Sequence, residues 1–268
     1  MENYGVMEAI LARLVKVQMP TLFESTSKNK GVKATNCVFL ISPRRKAPQL
    51  AAIGIASEVG LLLKKIIGPL FIKIFVKKIN NLKPNYPKSF IIALNHASYL
   101  DPPITESIFI KNINRKVHFI GKEELFSLLP SRIFHEAVGT INLNYSRDKG
   151  RSALKTAIKH LKNGKIIGIF PEGIRSPTGK LMKGKVGIAK LVIKSRVPVL
   201  PVGIKGTNKL LPVTKSIPRF KKKVVLNIGE LMYFDKYYNR KFDKKTLREI
   251  TDKIMKEIAK LCRQKYSY

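Results

Sequence analysis

His96 and Asp101 lie five residues apart in Asn95-His96-Ala97-Ser98-Tyr99-Leu100-Asp101-Pro102, directly after the apolar run Phe90-Ile91-Ile92-Ala93-Leu94. Unperturbed imidazole titrates near pH 6.5, so at neutral pH it can take a proton from a hydroxyl. A neighbouring carboxylate can fix its tautomer and stabilise the imidazolium. The spacing by itself describes equally well a capping aspartate beside a buried, hydrogen-bonded histidine. A second polar cluster, Phe170-Pro171-Glu172-Gly173-Ile174-Arg175-Ser176, closes another apolar run, Ile166-Ile167-Gly168-Ile169-Phe170. Gly173 permits close backbone approach, Arg175 offers a planar fork for phosphate, and Ser176 a hydroxyl donor. Open α/β sheets bind ligands at the carboxyl ends of their strands, so this cluster reads as an anion site. A turn carrying a surface ion pair would share its residues.

The elements that must position these residues are legible as alternating apolar runs and amphipathic stretches. The runs at 90–94, 166–170, 197–202 and 223–228 have the length and composition of strands buried on both faces. Between them, Gly150 to Leu161 reads as a helix with Leu154, Ile158 and Leu161 on one face, and Val186 to Lys194 as another. A last helix is expected from about Lys244 to Gln264, with Asp243 as N-cap and Leu247, Ile250, Ile254, Ile258 and Leu261 as its apolar stripe. The fold class is therefore α/β: a mixed, largely buried sheet flanked by helices, occupying residues 81–268. Ahead of it, residues 49–80 hold two apolar segments, Leu50 to Leu63 and Ile66 to Val76, each interrupted by charge or proline. Neither reaches the roughly 18 apolar residues of a spanning helix. With Lys64, Lys65, Lys73, Lys77 and Lys78 beside them, they read as a pair of amphipathic helices associating with a membrane interface, a pattern shared by two core-packing helices and by a tilted or re-entrant membrane segment. Residues 1–48 read as a short amphipathic helix carrying Val6, Ile10, Leu14 and Val17, followed by a basic linker with the composition of a disordered segment.

Charge narrows the partners. The 268 residues include 52 Lys and Arg against 17 Asp and Glu, a formal net charge of +35, with 44% of residues hydrophobic. Such an excess favours association with a polyanion. Zinc-ligand spacing, a basic-region heptad and a glycine-aromatic RNA-binding signature are all missing from the sequence, so no nucleic acid is expected and the charge supports an anionic membrane as partner, although a lysine-rich solvated surface would give the same excess. Cys37 and Cys262 lie far apart with no partner motif, so neither a disulfide framework nor a metal site is expected. The first ten residues carry acidic side chains where a secretory signal would be positive, so export is not expected.

Taken together, Asn-His-x-Ser-x-x-Asp-Pro and the downstream Phe-Pro-Glu-Gly-x-Arg-Ser resemble the 1-acylglycerol-3-phosphate acyltransferase family. The resemblance runs from about Ser89 to Asn227. It takes in Phe119-Ile120-Gly121-Lys122-Glu123-Glu124-Leu125-Phe126, Lys183-Gly184-Lys185-Val186-Gly187-Ile188-Ala189, and Val197-Pro198-Val199-Leu200-Pro201-Val202-Gly203, closed by Gly206-Thr207. It implies an enzyme of phospholipid biosynthesis that moves a fatty acyl group from acyl-CoA or acyl carrier protein to lysophosphatidic acid, giving phosphatidic acid without a cofactor or metal. By the same resemblance His96 is the general base and Asp101 orients it. Glu172, Gly173 and Arg175 form the acceptor's phosphate site, with Arg175 making the contact and Glu172 positioning backbone or basic residues, and Ser176 and Lys122 join the substrate-binding set. Ser98 is expected to hold the turn through its hydroxyl rather than act as a nucleophile. Two positions depart from the family pattern. Where relatives run Gly-x-Ile-x-Val-Asp-Arg, this chain has Gly139-Thr140-Ile141-Asn142-Leu143-Asn144-Tyr145, with Arg147 two residues late; either Arg147 reaches the phosphate from its shifted place or acceptor binding is altered. Ile174 replaces the usual threonine. The implied location is the cytoplasmic face of the cell membrane, peripheral or monotopic. The rival readings are a different lysolipid acceptor and a basic membrane- or nucleic-acid-binding protein without catalysis. The other histidines, His118, His135 and His160, carry no expected role. His96 and Arg175 are expected to face one cleft, a glycerol-phosphate length apart, opening toward the lipid-facing helices.

Overall fold

The computed structural model describes residues 72–122 except 74, residues 140–143, and residues 151–268 except 215–217, 220 and 240–242. The expectations placed on residues 1–71, and those on His135, Tyr145 and Arg147, lie outside the described residues.

Among the described residues, seven strands form one sheet in the order β1-β7-β6-β2-β5-β3-β4. They are β1 (Val76–Asn80), β2 (Phe90–Leu94), β3 (Val117–Lys122), β4 (Ile141–Leu143), β5 (Ile166–Ile169), β6 (Val199–Lys205) and β7 (Val224–Ile228). Neighbours run parallel except β6 and β7, so the sheet is mixed. The helices described are α1 (Asp101–Ile113), α2 (Arg151–Lys162), α3 (Gly187–Ser195), the single turn α4 (Thr207–Leu210) and α5 (Lys244–Cys262). Strand β2 sits at the centre with all five residues buried, as its uninterrupted apolar run requires. Its alternate side chains serve opposite faces. Ile91 and Ala93 join the core made with Ala157 and Leu161 of α2, Val192 of α3, and Ile254 and Ile258 of α5, while Phe90 packs against Phe109 of α1, ring centroids 6.4 Å apart.

Helix ends follow local chemistry. The Asp243 side chain accepts the Thr246 amide at 2.6 Å and starts α5. Pro102 and Pro103 open α1, where a missing N–H leaves no intrahelical bond unmade. Asn114, Arg196 and Arg263 end α1, α3 and α5 in the left-handed conformation.

Two differences from the sequence reading stand out. Residues 76–80, assigned there to the helical segment 49–80, form edge strand β1 paired to β7. Lys77 and Lys78, taken as headgroup lysines on a helix, are instead the exposed residues of that strand. The third apolar run starts later and ends later than expected, at Val199–Lys205, although the Pro198 carbonyl ahead of it still accepts the Ile91 amide at 3.0 Å. Among the described residues, no helix is long and apolar enough to cross a membrane.

The approach of α5 to the sheet depends on Gly203 of β6. A Cβ there would lie 2.6 Å from the Leu261 carbonyl carbon and 2.8 Å from the Cys262 amide nitrogen, both backbone atoms of α5. Gly203→Ala is therefore expected to lower stability by about 1–3 kcal/mol, read as a shift of the urea midpoint. An unchanged midpoint would contradict this packing.

Candidate active site

The site begins where β2 ends. Asn95 continues the strand with its side chain: its Nδ2 donates to the Ile204 carbonyl at 2.9 Å and its Oδ1 accepts the Ile204 amide at 2.8 Å, fastening β2 to β6 one residue before His96. The same Oδ1 accepts the Cys262 thiol at 3.1 Å, and burial pushes that thiol up to about 12, so Cys262 is a structural donor and no nucleophile.

Asp101, the first residue of α1, is wholly buried. One oxygen, Oδ2, accepts three bonds: from the Ala97 amide at 2.7 Å, the Ser98 amide at 2.8 Å and His96 Nδ1 at 2.8 Å. A carboxylate is acceptor-only, so the proton of neutral His96 sits on Nδ1 and the Nε2 lone pair is left to accept. The imidazole is 15% exposed and lies flat on Phe170, ring centroids 3.8 Å apart at 17°. Phe170 stacks in turn on Phe119 at 5.3 Å, and Phe119 fits only because residue 168 is glycine, where a Cβ would come within 2.5 Å of its ring. Ser98 is buried, its hydroxyl donating to the Leu211 carbonyl at 2.9 Å and accepting the Leu100 amide at 3.2 Å; this is the turn-holding bond expected of it.

The second cluster meets the first through backbone. The Ser176 amide donates to the His96 carbonyl at 2.8 Å, and Glu172 Oε1 accepts the His96 amide at 2.8 Å. Glu172 Oε2 accepts the Met182 amide at 2.8 Å, so one buried carboxylate ties the histidine to the loop at 181–185. Burial pushes the Glu172 carboxyl up to about 7, opposed by those two amide bonds and assisted by the nearby Asp101 charge. Glu172 thus positions backbone, and with 2% exposure it does not face solvent. Ser176 is equally buried, its hydroxyl 3.5 Å from that of Thr178, so its visible work is structural rather than that of an open donor.

Gly173 adopts φ +76° and is exposed. A Cβ there would lie 2.9 Å from Lys185 Nζ, so the glycine lets the lysine side chain cross the loop. The Arg175 guanidinium lies on the Tyr99 ring, 3.4 Å from its centroid, and its Nη1 is buried with no hydrogen-bond partner among the described residues. A guanidinium set against an aromatic ring keeps the planar donor fork that matches an anion. Lys122 ends β3. His118 and His160 meet edge to face at 5.0 Å, and among the described residues no cluster of three or more His, Cys, Asp or Glu is placed to hold a metal ion.

Four contributors escaped the sequence reading: Asn95, Tyr99, Phe170 and Lys185. All stood inside quoted motifs, but their partners are distant in sequence: Ile204, Arg175, His96 and Gly173 respectively. The one available signal was an aromatic residue in each polar motif, which invites the question of what it stacks on.

The Acyltransferase family model matches residues 73–205, a span that opens three residues before β1, closes on the last residue of β6 and contains both clusters. A 1-acyl-sn-glycerol-3-phosphate acyltransferase of Bacillus subtilis is 32% identical over 154 residues, 56% of this chain and 71% of that protein. One from Borreliella burgdorferi is 30% identical over 152 residues, 56% of each chain. In architecture the chain is similar to the crystal structure of the 1-acyl-sn-glycerophosphate (LPA) acyltransferase of Thermotoga maritima, with a TM-score of 0.56 and 26% identity over 84% of this chain and 86% of that one. A relative matched over more than two thirds of its length, a family model spanning both clusters and the same fold agree: this chain belongs to the 1-acyl-sn-glycerol-3-phosphate acyltransferase family.

Proposed function

We propose that the chain transfers a fatty acyl group from an acyl thioester, carried by CoA or acyl carrier protein, to the free hydroxyl of 1-acyl-glycerol-3-phosphate, forming phosphatidic acid. The observation that carries this reading is the 2.8 Å bond between His96 Nδ1 and Asp101 Oδ2, which leaves Nε2 as the acceptor at a strand end. His96 Nε2 takes the proton as the acceptor oxygen attacks the thioester carbonyl. The carbon–sulfur bond then breaks and the imidazolium returns the proton to the leaving thiolate, giving an ester and a free thiol. Asp101 stabilises the transient imidazolium, and no acyl-enzyme is required.

The acceptor's phosphate is assigned to Arg175, whose Nη1 lacks a partner among the described residues, with Lys185 across Gly173 adding charge. The relatives' names support a glycerol-phosphate acceptor. The net charge of +35 supports work at the anionic cytoplasmic face of the cell membrane, with the protein bound peripherally or monotopically. Lys122 and Arg147 remain part of the proposed substrate-binding set. The reading needs no cofactor and no nucleic acid.

Removing the base is expected to lower kcat for acyl transfer to lysophosphatidic acid by at least about a hundredfold in His96→Ala. Activity within about tenfold of wild type would overturn the mechanism. Arg175→Ala is expected to raise KM for lysophosphatidic acid by about tenfold or more, since a charge-assisted bond to phosphate is lost, while a lysolipid lacking the phosphomonoester responds far less. Equal changes for both acceptors would remove the phosphate from Arg175.

A further inference from the structure

Strand β2 lies between β5, which carries the acceptor cluster, and β6. On the β6 side, Asn95 and Ala97, the residues flanking His96, line a cavity of about 360 Å³, a size within the roughly 300–1,000 Å³ of small-molecule sites. Its far wall comes from the end of β6, from α4 and from the residue preceding β7. That wall brings Lys205, Lys209 and Lys223 to one cavity, and among the described residues no carboxylate lines it.

The convergence is built by backbone. The antiparallel register sets Lys205 against Val225, which carries Lys223 to the same end as the β6–α4 turn. Gly206, at φ +94°, closes that turn so tightly that a Cβ would sit 2.6 Å from the Lys223 carbonyl oxygen. The next residue, Thr207, is wholly buried and lines the cavity, and its hydroxyl has no hydrogen-bond partner among the described residues. A buried hydroxyl without a partner is disfavoured, so its persistence in a cavity lined by three lysines points to an anionic ligand with acceptor oxygens.

We infer that this cavity is the subsite for the phosphate end of the acyl donor, the phosphopantetheine portion that CoA and carrier-protein thioesters share. The inference rests on the acyl-transfer reading for the identity of the donor. The layout favours it over a second acceptor site. Arg175 on the β5 flank already offers a cation to the acceptor, and although Gly179 of the loop after β5 also lines the cavity, its lysines all come from the other flank of the base-bearing strand. Two anionic substrates could then reach His96 without competing for one cation, the flexible pantetheine arm spanning from the cavity to the thioester. Thr207 and Asn208 would donate to phosphate oxygens, and the lysines would neutralise them.

The test uses the full chain and the double variant Lys205→Gln/Lys209→Gln. In steady-state assays the variant is expected to raise KM for the phosphate-bearing thioester by about tenfold or more and to leave KM for lysophosphatidic acid within about twofold. With an acyl-N-acetylcysteamine thioester, which carries no phosphate, variant and wild type should behave alike. Equal losses with both donors, or a rise in KM for lysophosphatidic acid instead, would overturn the assignment. Calorimetric titration with phosphopantetheine, and with pantetheine as the control, needs no turnover and so separates this subsite from the acyl-transfer reading. Wild type should bind the phosphorylated compound at least about tenfold more tightly than the control, and the double variant should lose that difference. Thr207→Val should weaken phosphopantetheine alone. Indistinguishable binding of the two compounds to wild type would overturn the proposal whatever the catalytic result. So would loss of binding to phosphatidylglycerol vesicles by a variant that retains phosphopantetheine, because it would assign the cavity to a lipid headgroup.

Discussion

Three hydrogen bonds converge on Asp101 Oδ2, and the geometry of the site follows from them. The Ala97 and Ser98 amides define the turn by which the chain leaves β2, while His96 Nδ1 is oriented by the same oxygen. Orientation of the imidazole and the path of the backbone are therefore one constraint. Because Asp101 is wholly buried, water does not compete for the oxygen. It also opens α1, where a negative side chain is favoured by the helix dipole. The fold holds a charge in its interior, and three donors aimed at one atom are what makes that tenable.

Glu172 repeats the device from the neighbouring strand. Its two oxygens take the amides of His96 and Met182, so the histidine backbone is fixed by one carboxylate and its ring by another. The remaining freedom of the ring is removed by stacking on Phe170, in a column that continues to Phe119 and relies on Gly168 to admit it. The imidazole is thus held by one hydrogen bond at Nδ1 and by one aromatic face. The Arg175 guanidinium is likewise anchored on an aromatic ring, 3.4 Å from the Tyr99 centroid.

What could be read from sequence divides along physical lines. Strand β2 was legible because Phe90 to Leu94 is uniformly apolar, and the start of α5 because Asp243 caps it with a local bond. Strand β1 was not, because Val76-Lys77-Lys78-Ile79-Asn80 has the polar character of an edge, which matches the basic flank of an amphipathic helix equally well. Helix α1 offers little periodicity, since Thr105 and Glu106 are buried on it alongside Ile104 and Ile108. In the site, residue types announced His96, Asp101 and Arg175, whose chemistry is intrinsic. The parts played by Asn95, Tyr99 and Lys185 depend on what lies across the sheet or across a loop, and local pattern carries no information about that.

In the proposed mechanism the negative charge on Asp101, beyond its hydrogen-bonding shape, powers the base. The substitution Asp101→Asn is a sharp probe, because the amide oxygen of the new side chain can occupy the Oδ2 position and still accept all three donors while the charge is gone. The decisive measurement is single-turnover acyl transfer by this variant, with urea unfolding of the same sample. The rate is expected to fall by roughly 10²–10⁴ in a protein that still unfolds cooperatively. A folded variant that transfers the acyl group within about tenfold of the wild-type rate would contradict it.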